Sequence, residues 1–495
     1  MGDASGAEQR PHLRATLILS CLAQFMVILD VSVVNVALPS IRSALHFPEQ
    51  DLQWVVNAYT VTFAGFMLLG GRAADLLGRR RVFVAGLLLF GVASLAGGVA
   101  ESQGMLIAAR AVQGLGGAVI APASLSILTA TFAEGGARNR AVGIWGAMGA
   151  AGGSAGVLLG GMLTEWLNWR WILFINVPIG LVAAIAAHQY IAEGRNPERA
   201  QSFDLPGAIT ATAGLSLLVL GIVRTSVTGW GSASTLALMA GGLALLVVFV
   251  VIEGRFATAP LMPLRIYRSR TLSAANLVVL MLGAAMFAMW FFVSLYLQQV
   301  LGLSPIQAGL CFLPMTALLA TCSTLSSRMV QRFGAKTLLT TGMLLMTVGL
   351  LLFTDVAAGG SYAGDVLVPS LIVAVGMGIA FVPATLAAVS GVTPHEAGLA
   401  SGLVNTSRLF GGALGLAILA TIATSTTNSD LHRHVAIGAA LSDGFQVAFV
   451  VAAGFALIGA VIAIVGLPRI PPRGQPAPER EPAPTDEREL VAERA

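Results

Sequence analysis

Gly71-Arg72-Ala73-Ala74-Asp75-Leu76-Leu77-Gly78-Arg79-Arg80-Arg81 is a charged passage between two long apolar runs. It has an echo later in the chain, Ser327-Arg328-Met329-Val330-Gln331-Arg332-Phe333-Gly334-Ala335-Lys336. A shift of 256 residues sets Arg72 on Arg328, Gly78 on Gly334, Arg80 on Lys336 and Gly86 on Gly342. A second block repeats at almost the same distance. A shift of 259 sets Gly143 on Gly402, Gly152 on Gly411, Gly153 on Gly412 and Gly156 on Gly415. Glycines match easily by chance in a chain with 57 of them, but two independent blocks at nearly equal offsets are harder to dismiss. Each block pairs one apolar run with the run eight places further on. The plan that follows is six helices, two inserted helices, then six more.

Only 11% of the 495 residues are charged, where a soluble domain carries about 25%. That excludes a soluble enzyme of two or three domains. A membrane helix needs about 20 mostly apolar residues. Fourteen stretches qualify: 15–38, 52–71, 82–100, 104–131, 139–164, 170–191, 205–224, 233–253, 271–299, 305–327, 337–354, 366–390, 398–424 and 445–468. No short alternating segments of the β-barrel kind accompany them. The first run is too long for the core of a signal peptide and has no evident cleavage site, so it is expected to be retained. The chain therefore reads as an all-α polytopic membrane protein.

Charge placement orients it. With the N-terminus inside, the basic residues gather in the tails and at 72–81, 138–140, 195–199, 255–270 and 328–336. The opposite loops hold only Arg42, Arg170, Arg224 and Arg433. A missed span in the middle would scramble this asymmetry, so both termini are expected in the cytoplasm. The organisation is a tail 1–13, a first six-helix bundle 14–191, a linker with inserted helices 7 and 8 over 192–270, a second bundle 271–468, and a tail 469–495. That tail, rich in Pro, Glu and Arg, has no apolar face and is expected to be disordered. Basic residues scattered over short loops form no nucleic-acid patch. Lys336 is the only lysine among 28 basic residues, a bias of GC-rich bacterial genomes that points to a bacterial plasma membrane. Cys21, Cys311 and Cys322 all sit in apolar runs and read as packing residues; neither a disulfide framework nor a metal site is expected.

The 71–81 passage resembles the loop 2–3 signature of the major facilitator superfamily, and the repeat plan is similar to that fold, with two parallel six-helix halves. Leu29-Asp30-Val31-Ser32-Val33-Val34-Asn35-Val36-Ala37-Leu38-Pro39 resembles the first-helix signature of fourteen-span drug:proton antiporters, the EmrB/QacA-type branch. So do Trp169-Arg170-Trp171 followed by Phe174, Asn176 and Pro178, and Leu303-Ser304-Pro305 before Ala308-Gly309. Arg110-Ala111-Val112-Gln113-Gly114 resembles a further signature of the family. The resemblance covers nearly all of the chain up to the tail. It implies a major facilitator fold of two six-helix bundles plus two inserted helices, with a site between the halves near mid-membrane. It also implies a small-molecule substrate and protons as partners, and no cofactor. Oligomeric state is not legible; a monomer suffices.

Candidate functional residues fall into three groups. The first is the gating loop, Gly71, Arg72, Asp75, Gly78, Arg79 and Arg80. Its glycines permit a tight turn, and its carboxylate can pair with arginines in one transport state and release them in another; plain positive-inside topology is the blander alternative. The second is a glycine stripe, Gly152, Gly156, Gly160 and Gly161, suited to close helix approach. The family's antiporter signature here has a Gly-Pro pair, where this chain has Gly156-Val157, so a proline kink is not expected. The third is polar: Asp30, Asn35, Arg110, Gln113 and Arg408. Arg110, Gln113, Gly114 and Gly117 share one helix face. A charge inside the membrane costs at least about 2.5 kcal/mol and marks a cavity or a partner. Asp30 lies about 12 Å from the outer end of its span and Arg110 about 9 Å from that of its own, at 1.5 Å per residue. Desolvation favours the neutral acid and a nearby arginine the charged one, so such a pair can serve proton exchange or merely hold the bundle. Arg408 matches Gly149 in the repeat; it either meets an anionic substrate, balances a buried acid or serves packing. Met281, Met286, Met289, Phe287, Trp290, Phe291 and Phe292 make the ninth span soft and aromatic, fit for varied ligands or simply for a core. Spans 7 and 8, without repeat partners, are expected outside the two bundles.

No nucleotide-binding, zinc-hydrolase or nucleophile-elbow pattern is present, and no soluble domain could house another activity. The reading that follows from the resemblance is a proton-coupled exporter of amphipathic, drug-like or antibiotic-like compounds, not an enzyme. An alternative is a dedicated exporter or importer of one metabolite on the same scaffold. A polytopic enzyme or sensor would need clustered His, Asp or Glu at a membrane face, and none is evident.

Overall fold

The computed structural model describes residues 4–132, 136–193, 204–257, 260, 262, 264–390 and 397–468. The tail 469–495, the linker segment 194–203 and the side chains of residues 4–12 and of Asp75 lie outside the described residues. The long helices are α1 (Ala4–Leu45), α2 (Trp54–Leu77), α3 (Arg79–Gly98), α4 (Gln103–Thr131), α5 (Gly136–Trp166), α6 (Asn176–Tyr190), α7 (Leu205–Thr228), α8 (Ala233–Val251), α9 (Arg270–Leu295), α10 (Pro305–Phe333), α11 (Ala335–Leu352), α12 (Val368–Ser390), α13 (Ala397–His432) and α14 (Ile437–Gly466). Among the described residues thirteen helices are long and apolar enough to cross a membrane. The helix outside that count is α2, itself 24 residues long.

Several helices outrun their apolar stretch. α13 continues eight residues past 424 through Thr426 and Thr427 to His432. The Thr426 hydroxyl donates to the Ile422 carbonyl (3.1 Å) within the helix, while the buried Thr427 hydroxyl has no partner among the described residues. α14 starts at Ile437, before Asp443, rather than at 445. The sixth span is broken: a short turn Trp171–Phe174 precedes α6. Two quoted motifs explain themselves locally. Ser304 and Gln307 form a capping box with Pro305 in the first turn of α10. Arg170 donates to the Gly98 and Ala100 carbonyls (2.8 and 2.6 Å), capping the end of α3, and lies over the Trp169 ring at 4.7 Å.

Packing repeats with the sequence. A Cβ on Gly152 would stand 2.7 Å from the Phe25 carbonyl oxygen, and one on Gly156 2.9 Å from that of Leu29. Their counterparts Gly411 and Gly415 press in the same way on Leu280 and Ala284 of α9. The α1–α5 and α9–α13 pairs are thus one parallel helix pair used twice, shifted by 255 on one partner and 259 on the other. Gly86 and Gly342 pack likewise, on α4 and α12. Gly78 (φ 106) and Gly334 (φ 80) turn the chain between α2–α3 and α10–α11 in the backbone region that favours glycine.

The halves merge at one end and toward the other stay in touch through α13, whose Leu409 and Asn405 meet the first half. One core takes Leu29 to Leu45 of α1, the adjoining parts of α2, α4 and α5 and the Trp171–Phe174 turn together with α9 to α14, while a second takes the start of α1 with α2, α3, α4, α6 and Leu409 of α13. At the merged end Ser294 Oγ donates to the Asn35 carbonyl (2.7 Å) and Gln298 Nε2 to that of Val36 (2.8 Å). Arg42 reaches Gln299 Oε1 (3.2 Å), and the Ile306 N–H donates to Glu165 (2.9 Å). Gly161 lies against Ile306 Cα across the same seam. Beside it, burial pushes the Glu49 carboxyl up and Arg42, 3.5 Å away, pulls it back. At the other end the starting turns of α5 around Gly143 and Gly146 face open space, and the last turns of α10 are largely exposed. α7 covers the α2–α13 seam: Leu215, Val219 and Val223 pack with Val61, Ala413 and Ala417, and Thr421 donates to the Ile222 carbonyl (3.3 Å). α8 packs on α7, where Gly214 and Gly242 bring the two backbones together.

Candidate functional site

α1, α3, α4 and the start of α6 converge on a fully buried polar cluster. Asp30 has no accessible surface, and Gln113, Asn176 and Ser94 have none either; Arg110 retains 1%. Arg110 Nη1 donates to Asp30 Oδ2 (2.6 Å) and to Gln113 Oε1 (2.8 Å), and its Nε donates to the Val55 carbonyl (3.1 Å). Gln113 Nε2 and Asn176 Nδ2 both donate to Asp30 Oδ1 (2.7 and 2.8 Å). Each also donates to Ser94 Oγ at 3.1 Å, and that hydroxyl in turn donates to the Leu173 carbonyl at 2.8 Å. The guanidinium lies over the Tyr59 ring, 4.5 Å from its centroid. Asp30 therefore accepts three hydrogen bonds, and every donor comes from a helix other than its own. A change at this carboxylate is felt at once in α4 and α6.

The cluster belongs to the first half alone. By the packing offset of 255, Asp30 corresponds to Ala285, and Arg110 has no basic counterpart in α12. Gly114 and Gly117 turn the same face of α4 onto α2: a Cβ on Gly117 would meet Phe63 at 2.9 Å and the Tyr59 hydroxyl at 2.8 Å. That hydroxyl is buried without a partner, as is Asn176 Oδ1.

The other residues lie elsewhere. Asn35, half-buried, donates to the Val31 carbonyl of its own helix (3.2 Å) and sits on the merged seam, outside the cluster. Arg408 is one turn beyond Asn405 on α13, far along the chain from Asp30, and its Nε and Nη2 both donate to Asn405 Oδ1 (3.2 and 2.6 Å). In the loop, Arg80 and Arg81 pair with Glu193 (3.3 and 3.4 Å), tying α3 to the end of α6. Arg72 donates to the Pro260 carbonyl (3.4 Å) and so docks the linker that follows α8. Gly71 rests on Pro122 of α4, and Arg79 is half-buried at the start of α3. Gly160 packs on Val33, completing the stripe on α1, whereas Gly161 faces the second half. Within the ninth span Met289, Phe291 and Phe292 are core; Trp290 stacks on Phe312 at 4.9 Å, and Phe287 touches both cores. Among the described residues no group of His, Cys, Asp and Glu could hold a metal ion.

A helical membrane protein of two parallel repeats, with a charge pair enclosed in one of them, is the class this geometry defines. Residues 20–416 match the Major Facilitator Superfamily, and the chain belongs to that family of transporters. It is 45% identical over 414 residues to the cephamycin export protein CmcT of Amycolatopsis lactamdurans, covering 83% of this chain and 85% of that one. It is 38% identical over 456 residues to the puromycin resistance protein pur8 of Streptomyces alboniger, covering 91% and 90%. In fold it is similar to a bacterial homologue of the human lysosomal transporter Spinster in its inward-facing, unoccupied conformation. That likeness has a TM-score of 0.66 at 16% identity, over 92% of this chain and 97% of the other.

Proposed function

We propose that the protein exports amphipathic, antibiotic-like compounds across a bacterial plasma membrane in exchange for protons. The observation that carries this is Asp30, an acid enclosed mid-helix whose three donors come from α4 and α6. A proton taken up by that carboxylate removes its charge and turns one acceptor oxygen into a donor, which weakens its hold on both α4 and α6, so protonation and rearrangement of the first half are coupled. The relatives' names, cephamycin export and puromycin resistance, support the substrate class and the direction.

The same proposal makes α2 the fourteenth span and assigns the chain to the EmrB/QacA-type branch. It keeps both termini in the cytoplasm, the bundles at 14–191 and 271–468, and the inserted pair within 192–270. In that orientation the merged end faces outward and the opposite, more exposed end faces the cytoplasm, which supports loading from inside. A monomer is sufficient. Transport of a compound panel into everted vesicles tests the function: uptake on an imposed pH gradient is expected for amphipathic antibiotics, and its absence for every compound would overturn the reading.

In the 71–81 loop, Asp75 acts as a charge-dependent gate residue. Asp75→Asn keeps size and removes charge, so transport is expected to be lost at near-normal membrane abundance. Wild-type vesicle transport by this variant would make the carboxylate charge dispensable.

A further inference from the structure

We propose that Arg408, with Asn405 and Phe381, forms an anion subsite, and that the exported compound carries a carboxylate on an apolar body. This rests on the export reading above and adds the charge of the cargo.

Away from the helix ends, the charged residues at mid-span are Asp30, Arg110 and Arg408. Asp30 and Arg110 neutralise each other at 2.6 Å. Arg408 is left over. Its Nε and Nη2 share the single oxygen of Asn405, and its guanidinium stands 5.6 Å from the Phe381 ring centroid. Among the described residues no carboxylate pairs with it, and its Nη1 donors have no protein acceptor. Asn405 is itself held across the halves, donating to Met67 Sδ of α2 (3.3 Å).

The fold does not require this arginine. Its repeat counterpart is Gly149, where even a Cβ would stand 3.3 Å from Gln24, and the α1–α5 pair closes without any charge there. The equivalent α9–α13 pair closes through backbone, Gly283 lying against the Arg408 main chain. Deep in its helix, Arg408 still keeps accessible surface, and Phe381 is 40% exposed. A guanidinium with free donors on its edge and an aromatic face at its side matches a planar carboxylate bidentately. Phe381, and Phe287 against Gly412 one turn beyond Arg408, offer apolar surface for the rest of the molecule.

The test uses the purified full chain in lipid nanodiscs, with benzylpenicillin as the carboxylate probe and its methyl ester as the neutral match. The wild type is expected to bind the acid at least about tenfold more tightly than the ester. Arg408→Gln should bring that ratio to near one without lowering the unfolding temperature, since it removes an unpaired charge; a purely structural arginine would lower it. Arg408→Lys keeps the charge but loses the fork, and should give an intermediate ratio, which is the deciding readout if Arg408→Gln does not fold. A wild-type ratio near one, no saturable binding of the acid, or a ratio unchanged in Arg408→Gln or Arg408→Lys overturns the subsite. Puromycin transport in vesicles separates the two readings: if it persists while the ratio fails, only the anion subsite is wrong, and if nothing moves on a pH gradient, the export reading falls.

Discussion

Arg110→Met is expected to lose about 3–5 kcal/mol of stability, the cost of leaving a buried charge uncompensated. The substitution strips Asp30 of its 2.6 Å partner and leaves Gln113 Oε1 and the Val55 carbonyl without their donor. It also empties the space over the Tyr59 ring. Gln113 and Asn176 still donate to the carboxylate, but neither carries a charge. The double variant Asp30→Asn with Arg110→Met removes both charges and should recover most of the loss, because a neutral pair of similar volume in a dry site is often no less stable than an ionic one. Thermal unfolding in detergent and membrane abundance read both proteins. If Arg110→Met is as stable as the wild type, the pair is not enclosed as described.

Gly156→Leu is expected to be nearly as damaging, by a different route. A Cβ there already meets Ser32 Cβ at 2.6 Å and the Leu29 carbonyl at 2.9 Å, so a leucine must drive α1 and α5 apart. The Ser32 hydroxyl bond to the Gly153 carbonyl (2.7 Å) breaks with that separation. Overpacking of this kind costs about 1–3 kcal/mol or more, and α1 carries Asp30, so the buried cluster moves with it. Gly143→Leu is the control: nothing lies within 4 Å of a Cβ on Gly143. A clear fall in unfolding temperature for Gly156→Leu and none for Gly143→Leu is the expected outcome. Equal effects would mean that the α1–α5 contact is not the close one.

What the sequence made legible follows from which signals are local. The 72/328 and 152/411 repeats are linear patterns, and the packing of Gly152 on Phe25 and of Gly411 on Leu280 is their direct consequence. Asp30 and Arg110 stood out because a charge in an apolar run is rare, and depth arithmetic set them level. Ser94 and Asn176 did not stand out as part of the cluster. Uncharged polar residues are common in membrane helices, and their convergence on Asp30 depends on how α3 and the broken sixth span meet α1, which no periodicity encodes. Asn176 was visible only inside the Trp169-Arg170-Trp171 motif, and the break at Ile175 gives it its position at the first turn of α6. Asn35, in the same first-helix motif as Asp30, lies five residues on; its side chain donates to the Val31 carbonyl of its own helix and its backbone meets Ser294. The start of α14 and the end of α13 were misplaced because hydropathy drops where serines, threonines and Asp443 continue a helix that the backbone still favours.

The charge pair admits two roles, a proton carrier or a fixed strut, and one variant separates them. Asp30→Asn keeps the shape of the side chain and its acceptor oxygen while removing the exchangeable proton. The variant leaves Arg110 without its counter-charge and should unfold at a lower temperature than the wild type. Reconstituted into liposomes with an imposed pH gradient, it should still bind substrate but fail to move it uphill, while exchanging labelled for unlabelled substrate at equal concentrations. Uphill transport at the wild-type rate by Asp30→Asn would contradict the account, because the proton would then be carried elsewhere.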